Sequence, residues 1–180
     1  MMNHPDALWP AEIGRQLLVE NSVFFLISLV FLIWTGWAWR EVKPFELPKP
    51  LPDWFKYWFG SVQFFGLVPP IVVLGWSLWQ GYYTTLVVLL AYFVMLVLQV
   101  VAEIVSLRQF RSVVWVMVPY LYVPYRLWQL YEGLTLVQSE SDLGWIPILF
   151  IGEIFIWGVN YLLDLAQLPK LFRWSGTSES

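Results

Sequence analysis

Residues 118–132 read VPYLYVPYRLWQLYE: two prolines, four tyrosines and an arginine in a stretch long enough to be most of a membrane-spanning helix. Whether it crosses a bilayer decides between four spans and five. Proline removes a backbone N–H and opens a helix locally, which neighbouring helices or water must compensate. An arginine toward mid-bilayer costs at least about 2.5–3.5 kcal/mol on insertion scales, so Arg126 is expected to face protein or water rather than lipid. The stretch therefore reads as the wall of an internal site.

The rest of the chain supplies the membrane setting. Of 180 residues, 59% are hydrophobic and only 13% charged, with a mean hydropathy of +0.63. Those values lie outside the range of an ordinary soluble domain and indicate an integral membrane protein. Thirteen Trp, nine Tyr and thirteen Phe suit rings that anchor both interfaces or line an apolar cavity. The absence of Cys excludes disulfides and thiolate chemistry. The single histidine, His4, lies at the N-terminus, which argues against a His-based metal, haem or general-base site. No cofactor and no metal are expected. A net charge of −3 argues against nucleic acid as a partner.

Residues 1–21 lack a basic leader and carry Asp6, Glu12 and Glu20, so they are not read as a signal peptide. Pro10 followed by AEIGRQLLVE reads as a short interfacial helix. Residues 22–39, SVFFLISLVFLIWTGWAW, carry no charge and cross about 30 Å at 1.5 Å per residue. A stiff proline-rich linker, EVKPFELPKPLPD, leads to an aromatic landing at WFKYWF. Further spans are expected at about 59–79, with Gly66 and Pro69-Pro70 near its middle, then 83–105, 113–131 and 144–163. An acidic loop precedes the last of these, and residues 166–180 form a polar tail. The expected fold is an all-α integral membrane protein. Its five transmembrane helices, over residues 22–165, form a bundle in which proline kinks the second and fourth. No internal repeat is visible.

Basic residues test that count. With five spans, Arg40, Lys43, Lys49, Lys56, Arg108, Arg111, Lys170 and Arg173 fall on one side, whereas the other side has only Arg15. The positive-inside rule then places the N-terminus outside and the C-terminus on the cytoplasmic side.

Helical spacing groups the polar residues within the spans. Tyr92, Gln99 and Glu103 share a stripe on the third; Tyr122, Arg126 and Gln129 share one on the fourth; Glu153, Trp157, Asn160 and Asp164 share one on the fifth. Arg126 lies about six residues from the outer end of its span and Glu153 about nine from that of its own, about 5 Å apart in depth. A long arginine covers that difference, so an Arg126–Glu153 ion pair is expected, either as a functional feature or as a structural clamp between helices. Gln63, Glu103 and Asn160 are expected nearer the cytoplasmic side, as a second polar cluster close to Arg108 and Arg111 or, for Glu103, as a carboxylate snorkelling to a loop arginine.

Two stretches together resemble a known family. Trp54-Phe55-Lys56, after the proline-bearing linker and before the aromatic span with Pro69-Pro70, is one; Pro119-Tyr120-Leu121-Tyr122-Val123-Pro124-Tyr125 is the other. Over about residues 22–131 they resemble the EXPERA-domain group, which includes the sigma-2 receptor and the emopamil-binding sterol isomerases. The resemblance implies that the fourth helix lines a pocket for a sterol or amphipathic amine, with Tyr120 and aromatic side chains near Gln63 facing the ligand. It departs in the first span, which has no acid, and in the second, which offers Gln63 where the sigma-2 receptor carries an acid.

Three functions fit. The first is an intramembrane pocket that binds a sterol-like, isoprenoid or other lipid ligand, with Gln63, Gln99, Tyr120, Tyr122, Arg126, Glu153 and Asn160 as the candidate anchors. The alternative is a non-catalytic subunit or assembly factor that packs against other membrane subunits. The third is a lipid double-bond isomerase, which needs an acid and a base; Glu153, Glu103 and Arg126 are the groups at hand.

Overall fold

The computed structural model describes residues 10–41, 53–110, 113–138 and 144–172, with side chains through 169. Expectations for His4, Lys43, Lys49, Arg111, Lys170, Arg173 and residues 139–143 and 173–180 lie outside the described side chains, whereas residues 132–137 of the expected acidic loop and 166–172 of the expected tail are helical.

Five helices account for the described chain: α1 (Pro10–Ala38), α2 (Asp53–Gln80), α3 (Tyr83–Phe110), α4 (Val114–Val137) and α5 (Ile146–Phe172). Pro10 opens α1 where a missing N–H costs nothing, and Glu12 in its first turn suits the positive end of the helix. The helix then continues through residue 21, so the stretch expected as a separate interfacial helix is the first turns of α1. The turn between α2 and α3 follows from Gly81, whose φ of +79° is open to glycine without strain. The Tyr82 amide donates back to the Ser77 carbonyl at 3.0 Å, the six-to-one bond of a glycine-closed helix end.

α1, α2, α3 and the Ile146–Pro169 part of α5 are each long and apolar enough to cross a membrane. Exposed rings mark the expected boundaries. On α2, Tyr57 and Trp79 are 79% and 81% exposed, and the rise between them is about 33 Å, close to the hydrocarbon thickness of a bilayer. Trp34, Trp37 and Trp54 lie exposed at the same end as Tyr57, and Tyr83 and Tyr131 at the end of Trp79, as interfacial belts require.

Helices consecutive in the chain run antiparallel, while α1 packs against α3 in the parallel direction, Gly14 lying near Val87 and Gly36 near Phe110. α4 packs against α3 and α5 and more lightly against α1, while α2 packs against α3 and α5. The register of α4 against α5 is set by three meetings. Gly133 meets Phe150, Arg126 meets Trp157 and Tyr120 meets Asp164. α4 buries a stripe comprising Val114, Val118, Tyr122, Arg126, Gln129, Gly133 and Val137, the helical repeat of an inward face. α4 is the most polar of the five and has three helices around it.

Gly133 lets α4 approach its neighbours closely: a Cβ there would stand 2.6 Å from Val88 and 2.8 Å from Phe150. At Gly60 the same atom would meet nothing within 4 Å. Gly133→Ala should therefore destabilise the protein by about 1–3 kcal/mol, while Gly60→Ala should be neutral or stabilise by up to about 1 kcal/mol through helix propensity. Unfolding in detergent micelles checks both.

Candidate functional site

At the middle of α4 the Arg126 side chain is buried to 1% exposure. Its Nη2 donates to Gln99 Oε1 on α3 at 2.6 Å, and Gln99 Nε2 donates to Glu103 Oε1 at 2.8 Å. One amide thus links the cation to a carboxylate one helical turn away, with its oxygen toward the arginine and its nitrogen toward the glutamate. The guanidinium lies 4.0 Å from the Trp157 ring centre and 5.6 Å from that of Tyr92. A desolvated cation over an indole face is worth about 2 kcal/mol, and a flat guanidinium suits that stacking better than an ammonium does.

Proline accounts for the second half of the site. Pro70 has no N–H to offer the carbonyl four residues earlier, which belongs to Gly66. The Tyr92 hydroxyl donates to that carbonyl at 2.7 Å, and Trp157 Nε1 donates to the Tyr92 oxygen at 3.1 Å. Gly66 also makes room for the indole, since a Cβ there would fall 2.7 Å from Trp157 Cζ2. A relay from α5 through α3 to α2 thus compensates the proline and fixes the ring on which Arg126 rests.

The expected Arg126–Glu153 ion pair does not form. Glu153 is buried to 3% exposure, yet its Oε2 has no partner, and neither do Arg126 Nε and Nη1. The reason is depth. Arg126 lies 11 residues before the end of α4 at Val137, and Glu153 seven after the start of α5 at Ile146. The antiparallel register therefore sets Glu153 about one turn, or 6 Å, toward the end of the bundle that holds Val137 and Ile146. Trp157, not Glu153, is level with Arg126, and the indole takes the face of the guanidinium.

The other candidates separate into groups. Gln99, Tyr122, Arg126 and Glu153 are buried. Tyr120 and Asn160 are half-buried and converge on Asp164: the Tyr120 hydroxyl donates to its carbonyl at 2.6 Å and Asn160 Nδ2 to its Oδ2 at 3.2 Å. The second cluster of Gln63, Glu103 and Asn160 is not assembled, because Gln63 lies exposed on α2 beside the exposed Phe64 and Phe65. Nothing in α2, which is apolar nearly all round, tells from sequence which side meets the bundle.

Sequence reasoning missed Asn21. The Tyr125 hydroxyl donates to its Oδ1 at 2.8 Å and Gln129 Nε2 to the same oxygen at 3.2 Å, while Asn21 Nδ2 reaches the Ala91 carbonyl at 3.4 Å. The signal was a lone amide at the head of an apolar run. Near the start of α1, Gln16 Nε2 donates at 3.0 Å to both Glu20 and Glu132. The groove there, about 400 Å³, is lined by Glu12, Arg15, Gln16, Val19 and Glu20 and lies away from Arg126. Among the described residues no cluster of His, Cys, Asp and Glu could hold a metal ion.

No family model, curated protein or solved structure matches the chain.

The relay can be tested by a double-mutant cycle. Tyr92→Phe should cost about 1 kcal/mol or more by stranding the Gly66 carbonyl. In a Pro70→Ala background, which returns an N–H to that carbonyl, the same change should cost at least about 0.5 kcal/mol less. Equal costs in both backgrounds, measured by unfolding in micelles, would break the link between Pro70 and Tyr92.

Proposed function

We propose that the protein is a five-span integral membrane protein whose bundle binds a sterol-like, isoprenoid or other lipid ligand beside α4. One observation carries this reading. Arg126 and Glu153, of opposite charge, are both buried in the bundle, and each retains atoms without a hydrogen-bond partner. Buried charge without full pairing is costly, and intramembrane ionisable groups mark functional sites by default. The surrounding surface, from Tyr92, Tyr122 and Trp157, is the aromatic wall a lipid ring or isoprenoid chain would pack against. In this reading the prolines of α2 and α4 bend the two helices away from each other to admit the ligand. The resemblance to the EXPERA-domain group points to the same class of ligand.

α4 supplies the fifth span: its 24 residues rise about 36 Å, and its polar groups are held by α1, α3 and α5. Arg40, Lys56 and Arg108 lie at one end of the bundle and Arg15 at the other, which supports an N-terminus outside and a C-terminus on the cytoplasmic side.

A second reading, as a subunit of a larger membrane complex, is favoured by α1. That helix buries only six of its 29 residues, leaving most of an apolar surface for lipid or for partner helices.

Native mass spectrometry of the protein released from mild detergent separates the two. The lipid reading expects one neutral lipid per chain, lost in Arg126→Ala. Copies free of lipid and attached to other polypeptides would replace it with the assembly reading.

A further inference from the structure

Resting on the lipid reading, we propose that the polar end of the ligand is a free hydroxyl held between Arg126 and Glu153, so that the protein selects a sterol or isoprenoid alcohol over its ether, ester, ketone or parent hydrocarbon. The site leaves few groups free to recognise anything. Arg126 Nη2 is taken by Gln99, Gln99 by Glu103, the indole N–H by Tyr92 and the Tyr92 proton by the Gly66 carbonyl. On Arg126 and Glu153 themselves, 1% and 3% exposed, what remains is two donor atoms, Arg126 Nε and Nη1, and one acceptor, Glu153 Oε2; elsewhere on the buried face of α4 the Tyr122 hydroxyl and Gln129 Oε1 are also unpartnered. The Trp157 ring covers the face of the guanidinium, so a ligand meets its edge.

A single hydroxyl oxygen accepts from the guanidinium while its proton goes to the carboxylate. Other head groups fit worse. An ammonium suits Glu153 and is repelled by Arg126. A carboxylate or phosphate suits Arg126 and is repelled by Glu153. A ketone, ether or ester only accepts, which strands Glu153 Oε2, and a hydrocarbon strands all three atoms. The two charges cancel, so the ligand is neutral. Each hydrogen bond to a charged group carries roughly 10- to 100-fold in affinity.

The test has two arms. In the first, lipid extracted from the purified protein is treated with acetic anhydride, and a mass shift reports a free hydroxyl. In the second, the protein in nanodiscs is titrated with cholesterol, its methyl ether and cholest-5-ene, and with farnesol and its methyl ether. At least one alcohol is expected to bind about tenfold or more tighter than its ether. Glu153→Leu should collapse that preference to within about threefold while retaining the ether and the hydrocarbon, which also shows the variant folded; the wild-type comparison decides the matter if it does not fold. A co-purified lipid without a hydroxyl, equal binding of alcohol, ether and hydrocarbon, or a preference unchanged by Glu153→Leu would overturn the inference and leave the lipid reading standing. A protein that carries no lipid and binds none of the five probes would overturn both.

Discussion

The burial of one guanidinium constrains the rest of this bundle. Arg126 lies near the midpoint of α4 with 1% exposure, where lipid contact would cost several kcal/mol. Three helices and a set of polar and aromatic contacts answer that cost. Gln99 takes one N–H, Trp157 covers the face of the group and Tyr92 flanks it. None of these would meet Arg126 unless α3 and α5 approached α4 closely, and Gly133 against Val88 and Phe150 permits that approach. The least apolar helix is the one most enclosed.

Proline and glycine act together in α2. Pro70 frees the Gly66 carbonyl, and Gly66, lacking a side chain, lets both the Tyr92 hydroxyl and the Trp157 indole reach it. A backbone defect in one helix is thereby converted into a fixed orientation for the aromatic ring that supports the arginine. The same residues that would disrupt an isolated helix tie α2 to α3 and α5, and through them to α4.

Much of this was legible in the chain itself. Long apolar runs located α1, α2, α3 and α5, and the spacing of Tyr122, Arg126 and Gln129 identified the buried face of α4. The partner of Arg126 was not legible. Ending the fourth span at residue 131, where the composition turns acidic, leaves out the six residues by which α4 continues to Val137. That displacement is about 9 Å; it moves Glu153 from about 5 Å deeper than Arg126, by the expected span ends, to about 6 Å on the opposite side of it, and Trp157 stands level instead. Gln63 failed for a different reason. On a helix apolar around nearly its whole circumference, hydrophobicity marks no inner face, and only the packing of Gly66 and Val62 against the core reveals it.

The buried site requires that α4 cross the membrane with Arg126 enclosed at mid-depth. Because the chain has no cysteine, single cysteines introduced at Arg108, at the end of α3, and at Thr135, near the end of α4, both exposed, bracket that helix cleanly. In sealed, uniformly oriented vesicles a membrane-impermeant maleimide is predicted to label Arg108→Cys from one side only and Thr135→Cys from the other only. Labelling of both from the same side would contradict a transmembrane α4 and the buried site built on it.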